Sequence, residues 1–185
     1  MPCLSRLILC VALFVPFSPT YSQEPAANRG EGLPAKSDFR ITFVAVNQHP
    51  MKPMMLDANR TFATGHAVMT AINQEGRGLL HNVAGRCTAA VTIDNAAKTI
   101  GYNGFCDYVD KDGDHVFERY EYPTQPQAPI FKGNAEWTGG TGKYAGISGR
   151  MDLRTSRLPA PVEGVSQTSG EKIGSYSIEN TSASR

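Results

Sequence analysis

The chain has 185 residues and carries 18 Lys and Arg against 17 Asp and Glu, a formal net charge of +1. With no basic run to concentrate that charge, nucleic acid and anionic membrane surfaces are excluded as main partners. The length suits one domain with a sizeable core.

The first residues, MPCLSRLILCVALFVPFSPTYS, place one arginine before an apolar run from Leu7 to Phe17 and end in small polar residues. This is the three-part layout of a secretory signal, and the run is too short to span a bilayer. Thr20 and Ser22 suit cleavage after Ser22, so residues 1–22 are set aside as a signal peptide. The mature chain is expected to be secreted or periplasmic, with no membrane insertion after signal removal. Residues 23–37 read as a disordered lead-in and 38–180 as one domain. Cys3 and Cys10 leave with the signal, and Cys87 and Cys106 remain as an even pair in an oxidising compartment, where a disulfide is the default.

From Phe39 onward apolar residues recur at every second position, and no window holds a helical period. Strands are predicted over Phe39–Asn47, Thr61–Asn73, Leu79–Val83 running on to Asp94, Thr99–Val109, His115–Tyr122, Phe131–Thr138, Ile147–Arg154 and Lys172–Glu179. Between the first two lies HPMKPMM, His49 to Met55, whose imidazole and thioethers are soft ligands of the kind that hold Cu(I). Its two prolines equally make it a loop at a barrel mouth, with methionine as gap filler. Asn59 and Asn180 open glycosylation sequons, relevant only in a eukaryotic source. DNAAK, DKDGD, PTQPQAP and LPAPVEGVSQTSG supply turns and loops.

A hairpin centred on Asn95–Lys98 sets Cys87 opposite Cys106, and the same register pairs Ile93 with Ile100, Val91 with Tyr102 and Ala89 with Gly104. Opposed residues share a face, so one register delivers an apolar ladder and a cross-strand disulfide together. A turn at DKDGD then sets Tyr108 opposite Val116 and Cys106 opposite Glu118. Val116, Glu118, Tyr120 and Tyr122 join the cysteine face, and His115, Phe117, Arg119 and Glu121 turn away. DKDGDHVFERYE matches a calcium loop at positions 1, 3, 5 and 12, which makes Asp110, Asp112 and Asp114 a weak calcium candidate. The required glycine at position 6 is His115, and the flanks read as strands, so a hairpin turn built on Asp and Gly is the competing reading. No other metal site and no cofactor site is expected.

Eight consecutive antiparallel strands with one buried face remove their free edges by closing into a barrel, whose interior can hold one small ligand. The expected fold is therefore an all-β, eight-stranded antiparallel up-and-down barrel with one cross-strand disulfide.

WTGGTGKYAGISG, Trp137 to Gly149, has the look of a phosphate loop but fails its spacing. Trp137 stands where the first glycine belongs, and Tyr144 follows Lys143 in place of a hydroxyl residue of the Ser or Thr kind. The Gly140, Gly142, Ala145 pattern lacks the strand and helix it needs. The longer stretch GNAEWTGGTGKYAGISGRMDL resembles the GGTGKF/Y hairpin of allene oxide cyclase and dirigent-like barrels, a calycin-type fold of eight antiparallel strands. With its C…DxDGD segment it is closer to small secreted bacterial members than to the plant enzymes. The resemblance implies that the glycines form a tight connection and that Tyr144 begins a short turn plugging one barrel end. No catalytic residue of the family falls on a matched position.

Glu118 is the catalytic candidate: a carboxyl among Tyr102, Tyr108, Tyr120 and Tyr122 is raised in pKa by desolvation and can act as general acid or base. The competing reading is a carboxylate held by a tyrosine hydroxyl. Tyr102, Tyr108, Tyr120 and Trp137 are expected to line a ligand cavity for a small apolar or aromatic molecule. Three functions fit: a ligand-binding barrel, an isomerase or cyclase as the resemblance allows, and a structural barrel filled by side chains.

Overall fold

The computed structural model describes residues 33–48, 52–163 and 165–179. The predicted signal peptide, most of the lead-in, His49 and Met51 of the copper candidate, and Asn180 lie outside the described residues.

Nine strands follow in chain order: β1 (Lys36–Gln48), β2 (Met54–Met55), β3 (Arg60–Asn73), β4 (Val83–Asp94), β5 (Thr99–Val109), β6 (His115–Pro126), β7 (Ile130–Gly140), β8 (Ile147–Val162) and β9 (Val165–Ile178). Each long strand pairs antiparallel with its sequence neighbour, and β1 closes the ring by pairing with both β9 and β3. The result is an eight-stranded up-and-down barrel, with β2 as a two-residue addition on β3.

Alternation sets the two faces. In β1, Phe39, Ile41, Phe43 and Ala45 are buried, and Asp38, Arg40, Thr42 and Val44 are exposed. The β4–β5 hairpin pairs Cys87 with Cys106, Ala89 with Gly104, Val91 with Tyr102 and Ile93 with Ile100, and the two cysteines are bonded. The β5–β6 hairpin pairs Cys106 with Glu118 and Tyr108 with Val116, and its one register shift lies between Ile100 and Tyr102.

Three predicted segments differ, the simplest being that β6 runs on through residues 123–126, the first part of PTQPQAP. Leu79–Asn82 is a turn, with Leu80 and Asn82 at positive φ, and β4 begins only at Val83. Its apolar pattern comes from plugging the barrel end: Leu79 and Leu80 are fully buried, and the Asn73 side-chain amide donates to the Leu79 carbonyl at 2.9 Å. Conversely, much of LPAPVEGVSQTSG is strand, since β8 and β9 continue to Val162 and from Val165. Pro159 and Pro161 fall where the ladder register shifts, between Leu158 and Val162. A residue without an N–H is tolerated there because no regular ladder bond requires it.

The core is unevenly distributed along the axis. At the end formed by the start of β1, β4, β6 and β8, large side chains fill the interior, among them Ile41, Leu80, Val116, Trp137, Tyr144 and Tyr176. At the opposite end the inward positions of β3 and β4 carry Ala63, Gly65, Ala67 and Ala89, and space remains.

Candidate functional site

That space is a cavity of about 500 Å³, with small residues of β3 and β4 on one wall and aromatic residues of β5, β6 and β7 on the other. Tyr102 stacks on Tyr122 at 4.2 Å between ring centroids and meets Phe131 edge-on at 6.1 Å. Glycines opposite the rings allow them to lie against the wall: a Cβ on Gly104 would come within 2.8 Å of the Tyr120 ring, and one on Gly133 within 2.8 Å of the Tyr122 ring. The hydroxyls are anchored, Tyr120 donating to the Thr88 carbonyl at 2.9 Å and Tyr122 sharing a hydrogen bond with Thr155. Burial pushes the Tyr102, Tyr120 and Tyr122 hydroxyls above the ordinary phenol range, so the aromatic wall stays neutral.

The floor is charged. From β9 the Lys172 ammonium donates to both Glu118 carboxylate oxygens at 2.5 and 2.6 Å and to the Tyr108 hydroxyl at 2.8 Å. Tyr108 in turn donates to Glu118 at 3.2 Å. Glu118 is 1% exposed, Lys172 2% and Tyr108 0%, and the three groups hydrogen-bond one another. The ammonium also stands over the Phe43 and Tyr108 rings at 5.4 and 5.2 Å from their centroids. Burial pushes the Lys172 ammonium below the usual lysine range, against the pull of Glu118. Burial, then the charge of Glu118, pushes the Tyr108 hydroxyl well up.

Glu118 and Lys172 both face the cavity, as do Tyr102 and Tyr120. Tyr108 stands behind the ion pair. Trp137 lies deeper still, between Phe39 at 5.8 Å and Tyr108 at 6.5 Å, in the filled end rather than on the cavity wall. Glu118 has the hydroxyl partner that its aromatic neighbours imply, but its main partner is an ammonium that the sequence reading did not single out. The signal was present: Gly170, Lys172, Gly174 and Tyr176 form a period-2 face of small and aromatic residues, and Lys172 is the one charged member.

The glycine loop and the acidic turn meet at the filled end. Gly142–Tyr144 forms a single 3₁₀ turn with Tyr144 buried. The Lys143 ammonium reaches Asp110 and Asp112, each at 2.6 Å, the Lys143 amide donates to Asp114 at 3.1 Å, and the Tyr144 hydroxyl donates to Asp110 at 3.0 Å. The carboxylates of the calcium candidate thus hold the GGTGKY turn, and among the described residues no cluster of His, Cys, Asp or Glu is arranged to hold a metal. Gly142 has φ +50°, and a Cβ there would run into the Asp114 carboxylate.

The fold and site define a closed antiparallel barrel with one filled end, one open cavity and a buried ion pair between them. The chain is similar in structure to a pterocarpan synthase dirigent protein, with a TM-score of 0.50 over 80% of this chain and 90% of that one, at 10% sequence identity. At that identity the likeness is one of fold, and it places this chain among dirigent-like barrels in architecture. No protein-family model matches the sequence, and no curated protein matches it.

Proposed function

We propose that this protein is a small-molecule-binding barrel that takes an apolar or aromatic ligand into the open end, outside the cytoplasm. The cavity carries this reading: about 500 Å³ is within the range of small-molecule sites, and an apolar lining with a few convergent polar groups is their usual composition. A purely structural barrel would fill that end as it fills the other. The signal-like N-terminus and the disulfide support a secreted or periplasmic location. An isomerase or cyclase is the second reading, favoured by one observation, the Glu118–Lys172 pair at the cavity floor, where proton donor and acceptor sit together. Native mass spectrometry of the protein purified from its own host is expected to find a retained small molecule that denaturation releases. A protein that is empty by this measure, and that no apolar or aromatic compound stabilises against heat, would be a structural barrel.

A further inference from the structure

Lys172 is an amine with unusual surroundings. Lys36, Lys52, Lys98, Lys111 and Lys132 are exposed, and Lys143 is held by two carboxylates near the surface. Lys172 instead ends at the floor of an apolar cavity, 2% exposed, with a carboxylate touching its nitrogen and a phenol 2.8 Å away. A lysine becomes a nucleophile when it gives up its proton, and both desolvation and an adjacent base favour that. Here burial lowers its proton affinity, and Glu118 is in hydrogen-bond contact to receive the proton.

Resting on the reading of the cavity as a ligand site, we infer that Lys172 captures a carbonyl ligand, an apolar or aryl aldehyde or ketone, as a protonated imine. The proton balance closes within the pair. Glu118 takes a proton from the ammonium, and the freed nitrogen lone pair forms the C–N bond as the carbonyl π pair moves to oxygen. Glu118 relays a proton from the new N–H to that oxygen, giving the carbinolamine. It then protonates the departing hydroxyl, which leaves as water, and the C=N bond forms. One carbonyl and one ammonium become one iminium and one water, with no oxidant or reductant. The floor begins and ends as a cation against a carboxylate, so Glu118, with Tyr108 hydrogen-bonded to it, remains the counter-ion of the product. A ligand reaching the floor lays its apolar part along the Tyr102–Tyr122 stack, which suits a planar conjugated carbonyl.

The test uses cinnamaldehyde as probe with cyanoborohydride to reduce any imine, followed by peptide mapping. The expected result is a reduced adduct on Lys172 that forms at least tenfold faster than on any exposed lysine and is lost in Lys172→Arg, which keeps the charge. Because that variant is open to misfolding, the map of the unaltered protein decides, with the exposed lysines as internal controls. Cinnamyl alcohol, which has the same shape without the carbonyl, separates the two readings through its shift of Tm. If the alcohol stabilises the protein and the aldehyde marks only exposed lysines, imine capture is overturned and the binding cavity stands. If neither compound acts at the cavity, imine capture is overturned, and the binding reading is then decided by native mass spectrometry of the retained molecule.

Discussion

Glu118 and Lys172 have opposite legibility for one physical reason. Glu118 lies four residues past the DKDGD turn, whose Asp and Gly content fixes the register of the hairpin, so its direction follows from counting. Lys172 stands after a Pro- and Gly-containing stretch that reads as loop, and a lysine at an apparent strand start looks like a solvated end. Only β9 beginning at Val165 makes Lys172 mid-strand and inward. Each residue then answers for the other's burial. Lys172→Met should cost about 3–5 kcal/mol, because it leaves a desolvated carboxylate with one hydroxyl. The double variant Lys172→Met with Glu118→Leu should recover most of that loss, since apolar replacements of a buried pair are often neutral. Urea unfolding of the single variants and the double variant measures this. Additive losses would mean that the two side chains do not share one interaction.

At the scale of elements, the GGTGKY turn and the DKDGD turn are one unit, although 24 residues separate Asp114 from Gly139 in sequence and the motifs were legible only separately. Neither carries a signal for its partner, because the partner is supplied by closure of β6 against β7. The unit has an acid-side signature. Hydrogen bonds from Lys111 and Lys143 hold Asp112 at about 2; Asp110 is also held below its ordinary value, because burial, which raises it, is outweighed by the combined hydrogen bonds from Lys143, Tyr144 and the Asp112 and Asp114 amides. Carboxylates depressed in the folded state contribute stability above their unfolded pKa, near 4, and that contribution fades as pH falls toward the folded value. Lys143→Met should therefore flatten the drop in Tm between pH 4 and about 2 and change Tm less at the acid end than at pH 7. An unchanged acid slope would show that Lys143 adds nothing to the clamp. Gly142→Ala should lower Tm at every pH, because positive φ and the Asp114 contact oppose a side chain there.

At the scale of the whole molecule, alternation and register made the barrel legible down to the cysteine pair, whereas the division into a filled and an open end was not. Alternation says which side chains point inward, but volume along the axis depends on which inward residues share a level, and that is a property of the closed ring. Trp137 illustrates it: its inward direction is readable from the strand, but its place in the filled end requires β1 to bring Phe39 alongside, with Tyr176 of β9 against Phe39 in turn. The same layering predicts how the cavity can be abolished. Ala67 faces the open space beside Cys87, and added methylenes there enter a void instead of a packed core, where overpacking would cost 1–3 kcal/mol. Ala67→Leu should leave Tm unchanged or raise it, since the new side chain is buried at about 0.8 kcal/mol per CH₂. It should also remove both the retained molecule and any stabilisation by cinnamyl alcohol. A variant that keeps its ligand with undiminished Tm shift would place the ligand elsewhere on the barrel, because no molecule lying between the small wall and the tyrosine stack could ignore a leucine at that level.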